Sequence, residues 1–281
     1  MPNLYVVATP IGNLEDISLR ALRILREVTL IAAEDTRKTK RLLNAYDIKT
    51  PLTSYYEHNK LAKLDRILDS LADGDIALVS EAGMPGISDP GYELIAAAAQ
   101  RGINVVPVPG PSAVVSALAV SGLPTDRFTY VGFLPNRAGA RRKALETMAG
   151  EPGTLIVYES PHRLTAALED ILSVLGDRRI AVCRELTKLY EEIYRGTISQ
   201  AISHFTAPRG EFTLVIAGRG AREKPRVTED IEGQMHRLYD DGVTAKEAVT
   251  AVAGATGLSR KELYQTWLRL DKAWDRDNKS C

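Results

Sequence analysis

The segment Val79-Ser80-Glu81-Ala82-Gly83-Met84-Pro85-Gly86-Ile87-Ser88-Asp89-Pro90-Gly91 follows a short apolar run and combines three glycines, two prolines and two carboxylates. Small residues let backbone N–H and C=O groups approach a ligand, and prolines hold the turn rigid. Glu81 and Asp89 can accept hydrogen bonds from hydroxyl or amino groups. This chemistry suits a neutral or cationic nucleoside better than a polyphosphate. Asp89 ahead of Pro90 also fits a helix N-cap, so a plain strand-to-helix connection is the alternative. Three more turns share the pattern: Thr9-Pro10-Ile11-Gly12-Asn13-Leu14, Ala33-Glu34-Asp35-Thr36-Arg37 and Pro107-Val108-Pro109-Gly110-Pro111-Ser112-Ala113. Each alone reads as loop plus cap. Four such turns, all after strands, point to one ligand edge.

Other chemistries lack their residues. Ala8-Thr9-Pro10-Ile11-Gly12-Asn13 stands where a dinucleotide fold needs G-x-G-x-x-G. Gly86 to Gly91 has Walker spacing but continues with Tyr92-Glu93, so the phosphate-binding lysine and the magnesium-binding hydroxyl are missing. There is no H-x-x-x-H pair and no G-x-S-x-G elbow. Cys183 and Cys281 are the only cysteines, so no disulfide framework and no metal site are expected, and the usage fits a reducing cytoplasmic protein.

The elements that must carry these turns follow from periodicity. Leu4–Ala8, Thr29–Ala33, Leu52–Tyr56, Ile76–Ser80 and Asn104–Val108 are brief, apolar and bounded by Gly, Pro or charged residues, which predicts strands. Helical spacing between them, as in Asn59–Leu71, predicts repeated βα units, hence a mainly parallel sheet covered by helices. A first domain over residues 1–123 follows. A second α/β domain, 124–220, has strands near Phe128–Phe133, Thr154–Tyr158, Arg179–Glu185 and Glu211–Ala217, with helices near Arg141–Met148 and His162–Leu175. Beyond the polar linker at 218–225 the pattern is all helical, 221–281: Thr228–Tyr239, Thr244–Ala255 and Ser259–Leu270. Ser259 and Glu262 have capping-box spacing, and Ala248, Val252, Gly257, Leu258 and Leu263 fall where a helix-turn-helix buries its apolar residues. A helical cap or a dimer-forming hairpin fits equally.

The chain has 281 residues, 44% of them apolar and 26% charged, with 36 basic against 36 acidic side chains. That balance excludes disorder and polyelectrolyte tails. Neutrality argues against broad adhesion to polyanions but permits local positive patches. The start lacks the n-region and apolar run of a signal peptide, and no stretch is apolar for long enough to span a membrane.

With these residues in hand, the sequence strongly resembles the tetrapyrrole-methylase superfamily, and within it the branch of ribosomal RNA small subunit methyltransferase I. The four turns carry the resemblance, together with Tyr158-Glu159-Ser160-Pro161-His162-Arg163-Leu164, Arg184-Glu185-Leu186-Thr187-Lys188 and Gly210-Glu211-Phe212. It implies two α/β domains holding S-adenosylmethionine in the cleft between them, a homodimer, and a substrate: the ribose 2′-hydroxyl of a cytidine in the decoding region of 16S rRNA, within the small ribosomal subunit. Carried over residue by residue, it implies cofactor contacts at Pro10, Ser80, Glu81, Ala82, Gly83, Ile87, Asp89, Ser112, Ala113 and Leu186. Glu81 replaces the family's usual Asp, Met84 a frequent Thr, and Arg209 a common Lys. The missing phosphate cradles agree with a cofactor that carries no phosphate.

Methyl transfer to a hydroxyl gains from a base, and Glu185, Lys188 or Glu211 could serve as carboxylate or neutral amine; an ion pair between neighbouring strands is the alternative. Arg37 and Lys38 in one cluster, Arg141 and Arg142 in another, and Arg260 and Lys261 in the helical tail are candidate RNA contacts, against the alternative of solvated helix faces. Two other functions use the same features: methylation of a small tetrapyrrole in cobalamin or sirohaem synthesis, and a non-enzymatic nucleic-acid-binding regulator.

Overall fold

The computed structural model describes residues 2–56, 60–220, 229–256 and 258–277. Asn59, Gly257 and most of the expected linker lie outside the described residues. The chain divides into two compact units, Met1–Arg219 and Gly220–Cys281.

The first unit holds two five-stranded sheets. The first comprises β1 (Asn3–Val7), β2 (Leu30–Ala33), β3 (Leu52–Ser54), β4 (Ile76–Val79) and β5 (Asn104–Val108), interleaved with α1 (Leu19–Glu27), α2 (Thr36–Ala45), α3 (Lys60–Ser70), α4 (Tyr92–Gln100) and α5 (Ala113–Ser121). Its order is β3-β2-β4-β1-β5 and every pairing is parallel. Helices on both faces bury β4 completely, which is why Ile76–Val79 reads as an unbroken apolar run. The order places the turns after β1, β4 and β5 side by side. Thr9 and Gly83 exchange backbone hydrogen bonds at 2.9 Å each, and the Ala8 N–H donates to the Val108 carbonyl at 3.2 Å. This is a strand-order reversal, where open α/β sheets bind ligands.

The second sheet contains β6 (Phe128–Phe133), β7 (Thr154–Glu159), β8 (Arg179–Arg184), β9 (Glu192–Thr197) and β10 (Phe212–Ile216), with α6 (Ala138–Met148), α7 (Leu164–Leu175) and α8 (Ile198–His204). Its order is β6-β7-β10-β8-β9; only β6 and β7 run parallel. β9 and α8 were not expected. In β9 the apolar Ile193 and Tyr194 are adjacent and only partly buried between Glu192 and Arg195, so this edge strand lacks clean alternation. α8 is short but closed by a full capping box, Thr197 with Gln200. A bulge between Tyr130 and Gly132 kinks β6. α5 packs on β8, β9 and β10, joining the two sheets across one interface.

The second unit consists of α9 (Glu229–Asp240), α10 (Ala245–Thr256) and α11 (Arg260–Asp277) around Met235, Ala248, Val249, Val252, Leu258, Leu263 and Trp267. Ala248, Val252, Leu258 and Leu263 occupy the core expected of them. Among the described residues no helix is long and apolar enough to cross a membrane.

Candidate active site

A cavity of about 440 Å³ lies between the two sheets of the first unit, within the range typical of small-molecule sites. The β4 turn forms one wall through Glu81, Ala82, Gly83, Met84, Ile87, Ser88 and Asp89; Ile11, Glu34, Ser112 and Ala113 extend it. The opposite wall comes from strand ends of the second sheet: Phe133, Tyr158 to Pro161, Cys183, Leu186 and Glu211 to Thr213.

The β4 turn owes its shape to its small residues and to bonds made behind it. Gly83 has φ +81° and Gly91 φ +156°; a Cβ on Gly91 would lie 2.9 Å from the Gly86 nitrogen, so the turn closes on itself without side chains. Ser80 is buried and its hydroxyl donates to the Gly83 carbonyl at 3.3 Å. Ser88, at φ +64°, is bonded through its hydroxyl to Tyr130 of the second sheet. Glu34 Oε2 accepts the Glu81 N–H at 3.0 Å, and the Glu81 carboxylate is paired with Lys38.

Eight of the ten expected cofactor contacts therefore line the cavity: Glu81, Ala82, Gly83, Ile87, Asp89, Ser112, Ala113 and Leu186. Pro10 and Ser80 do not. Ser80 points into the turn it supports, and Pro10, without an N–H, sits between Thr9, bonded to Gly83, and the wall residue Ile11. Ser112 is the N-cap residue of α5, yet its side chain makes no capping bond. Its hydroxyl and the Ala113 amide thus present donors at the cavity, whereas the next amide, that of Val114, is bonded to Tyr158.

Burial dominates the electrostatics. Asp89 is pushed up to about 7 by desolvation, then by the neighbouring charge of Glu34, against a hydrogen bond from Ser80. Glu34 is raised as well, again chiefly by burial. Tyr158 is raised by desolvation and by Tyr130, with which it makes an edge-on contact at 5.3 Å; Phe133 meets it at 5.6 Å. Sequence reasoning missed this aromatic wall, although Tyr158 to Arg163 stands out as a motif. Its Glu159 is buried and accepts from the Ser160 N–H and Arg163 Nε, each at 2.8 Å, which fixes the turn.

The three base candidates form one chain of contacts. Lys188 Nζ lies 2.9 Å from Glu185 Oε1 and 2.8 Å from Glu211 Oε2, and Glu185 Oε1 also accepts the Glu211 N–H at 2.8 Å. Only Glu211 lines the cavity. Burial would lower Lys188, but its bonds to Glu211 and Glu185 outweigh that and raise it, so it is an ammonium ion and not the neutral amine a base requires. Burial would raise Glu185, but Lys188, the Glu211 N–H and Arg184 hold it down. Glu185 at φ +49° and Thr187 at φ +66° are strained positions kept by these bonds and by the Asn13 N–H, which donates to Thr187 Oγ1 at 3.1 Å.

Of the RNA candidates in the first unit, Arg37 is almost fully exposed in the first turn of α2, while the charge of Lys38 is engaged by Glu81. Arg141 requires a correction. Its side chain is buried and bonded to Asp170, Nε to Oδ2 at 2.7 Å, so it cannot meet a phosphate. Arg142, half-exposed, binds the other oxygen of Asp170 at 2.6 Å. That cluster is an internal ion pair with one exposed member. Arg260 and Lys261 lie in the second unit, on a separate groove.

The model of the tetrapyrrole (corrin/porphyrin) methylases matches residues 3–202. Relatives named ribosomal RNA small subunit methyltransferase I are 49% identical over 94% of this chain and 94% of their own in Halalkalibacterium halodurans, and 47% identical over 95% and 98% in Synechocystis sp.. The one from Thermotoga maritima is 51% identical over its whole length but covers only 78% of this chain, a length close to that of the first unit. Among solved structures, a cobalt precorrin-4 methyltransferase of cobalamin biosynthesis superposes with a TM-score of 0.58 at 16% identity, over 76% of this chain and 94% of that one. A uroporphyrin III C-methyltransferase from Thermus thermophilus gives 0.55 at 20%, over 76% and 97%; these two are likenesses of fold. Two α/β sheets facing one cavity, the motif turns that line it and kinship along almost the entire sequence lead to one conclusion: the chain belongs to the tetrapyrrole methylase family, in the branch of the ribosomal RNA small subunit methyltransferases I.

Proposed function

We propose that the chain is an S-adenosylmethionine-dependent rRNA methyltransferase whose acceptor is the ribose 2′-hydroxyl of a cytidine in the decoding region of 16S rRNA, within the small subunit. The observation that carries the reading is the cavity: it has the size of a nucleoside site, no phosphate cradle, and walls from both sheets, in a chain nearly half identical to rRNA methyltransferases. The residues present fit the cofactor. Ile11, Met84, Ile87, Leu186 and Phe133 offer apolar surface, Ser112 and the Ala113 amide offer donors, and Asp89 and Glu34 offer acceptors for a cationic amino acid moiety. When bound, S-adenosylmethionine supplies a methyl group already activated on a sulfonium centre, so the protein's main task is alignment. Glu211 is the carboxylate placed to receive the hydroxyl proton, and Lys188 and Glu185 are positioning residues that aim it. Pairing of two copies and a cytoplasmic location belong to the same reading.

Calorimetry should detect S-adenosylmethionine binding, and radiolabelled methyl should enter 16S rRNA of small subunits from a strain lacking the gene, at one alkali-resistant cytidine linkage. Transfer to a purified tetrapyrrole and not to rRNA, or RNA binding by a protein that binds no S-adenosylmethionine, would overturn the assignment in favour of the small-molecule or regulator readings.

Asp89 makes the site pH-dependent. Its folded-state value of about 7 stands above the ordinary 3.8, so the folded protein binds the extra proton and stability falls as pH rises from about 4 to about 7. Solvent screening leaves on the order of 1–2 kcal/mol of that cost. Asp89→Asn should therefore stabilise the protein in urea melts at pH 8.5 and change little at pH 4.5. The same variant should lose the gain in affinity for the cationic cofactor that the parent shows as pH rises through 7. Equal stabilisation at both pH values would reject a titrating Asp89.

A further inference from the structure

The second unit carries a feature the cavity does not explain. Lys246 and Thr250 of α10 and Arg260, Lys261, Tyr264 and Gln265 of α11 line a groove of about 570 Å³, and all six are exposed. From residue 221 onward the tail has 11 basic and 11 acidic side chains, so this concentration is a matter of placement and not of total charge.

The acids that follow Lys246 and Lys261 in the sequence, Glu247 and Glu262, are turned to other tasks. Glu247 Oε2 accepts from the Thr244 hydroxyl at 2.7 Å and from its N–H at 3.3 Å, closing the start of α10. Glu262 Oε2 accepts from the Ser259 hydroxyl at 2.8 Å, and the Glu262 N–H donates to Ser259 Oγ at 3.2 Å, closing the start of α11. Among the described residues, Lys246, Arg260 and Lys261 have no ion-pair partner, whereas Lys38, Arg142 and Lys188 of the first unit are all paired. Arg260 and Lys261 also occupy the first turn of α11, the positive end of the helix dipole, where cations are unfavourable and an anion is favoured. Tyr264, 48% exposed, follows one turn on.

Resting on the rRNA methyltransferase reading, we propose that this groove is a second RNA site, separate from the catalytic cavity. Lys246, Arg260 and Lys261 take backbone phosphates, Tyr264 stacks on an unpaired base, and Gln265 bonds ribose or phosphate oxygens, while the Thr250 hydroxyl lines the groove already donating to the Lys246 carbonyl at 2.6 Å. Its role is anchoring and not chemistry, consistent with a relative that matches over its whole length without this much chain. Three cations without an ion-pair partner among the described residues, beside one exposed aromatic, favour RNA over a protein partner.

The test uses the full-length protein with Lys246, Arg260 and Lys261 all replaced by alanine, and separately Thr250→Glu, which adds a negative charge to the groove without touching the cations. Binding to purified small subunits is measured against potassium chloride concentration, S-adenosylmethionine binding by calorimetry, and methyl transfer by steady-state kinetics. Loss of three phosphate contacts should reduce the slope of log K against log salt by about 2, weaken binding about tenfold, and raise KM for subunits with kcat and cofactor affinity unchanged. Tyr264→Ala should raise KM while Tyr264→Phe should not. A parent protein that methylates subunits, with both groove variants matching its slope and KM, would overturn the proposal and leave the enzyme assignment standing. So would a change confined to oligomeric state, which would make the groove a contact between copies, or binding to duplex DNA that competes equally with RNA. Failure of the parent itself to methylate rRNA would instead sink the assignment on which the proposal rests.

Discussion

Replacing Arg141 with alanine is expected to cost about 3–5 kcal/mol of folding stability, the range observed when one partner of a buried ion pair is removed. The Arg141 and Asp170 side chains are 5% and 6% exposed. Arg141 donates from Nε to Asp170 at 2.7 Å and from a terminal nitrogen to the Asn136 carbonyl at 3.2 Å, tying the entry to α6 onto α7. Burial acting alone would raise Asp170, but hydrogen bonds and charge from Arg142 and Arg141 hold it below the usual carboxylate range. Without Arg141 the carboxylate keeps only Arg142, whose side chain is 58% exposed. Urea denaturation of Arg141→Ala should show the full loss, and Arg142→Ala a much smaller one. If Arg141→Ala melted like the parent while losing RNA affinity, the buried pair would be the wrong account and the phosphate contact the right one.

Gly210→Ala should be nearly as damaging to the fold and more damaging to methyl transfer. Gly210 has φ +87°, and a Cβ there would lie 2.4 Å from Glu185 Cγ and 2.6 Å from its Cδ and Oε1. That carboxylate cannot step aside freely, because Lys188 Nζ and the Glu211 N–H both hold Oε1. The left-handed conformation costs an alanine about 1 kcal/mol, and displacing the bonded carboxylate adds a similar or larger amount, about 2–3 kcal/mol in all. Glu211, the next residue, lines the cavity. A shift of its backbone should lower kcat/KM by roughly 10- to 100-fold, since small displacements of aligned groups have effects of that size. Stability and kcat/KM both equal to the parent's would show that the Glu185–Lys188–Glu211 network does not govern the site.

The parallel sheet was legible because its strands are sealed by helices, which selects short continuous apolar runs such as Ile76–Val79. The turns were legible because close backbone approach demands glycine and proline whatever the surroundings. β9 was not, since an edge strand partly exposed on both faces leaves its apolar residues without a period. The cavity's second wall escaped for a related reason: Tyr158, Cys183 and Thr213 share one row only through the register of β7, β10 and β8. A slip of one residue would turn each to the other face.

By itself the sequence determined which segments could carry chemistry: the four turns, the Tyr158 to Arg163 motif, and the family they announce. Tertiary structure alone decided what each residue does there. It made Ser80 a support and Glu81 a wall, clamped the Lys188 ammonium between two carboxylates, buried Arg141 against Asp170, and left Lys246, Arg260 and Lys261 on one groove without an ion-pair partner among the described residues. Residue type and spacing set local conformation and hydrogen-bonding capacity, whereas burial and charge pairing depend on neighbours brought together from far along the chain. Arg141 and Asp170 lie 29 positions apart, and Thr9 and Ser80 lie 71 apart.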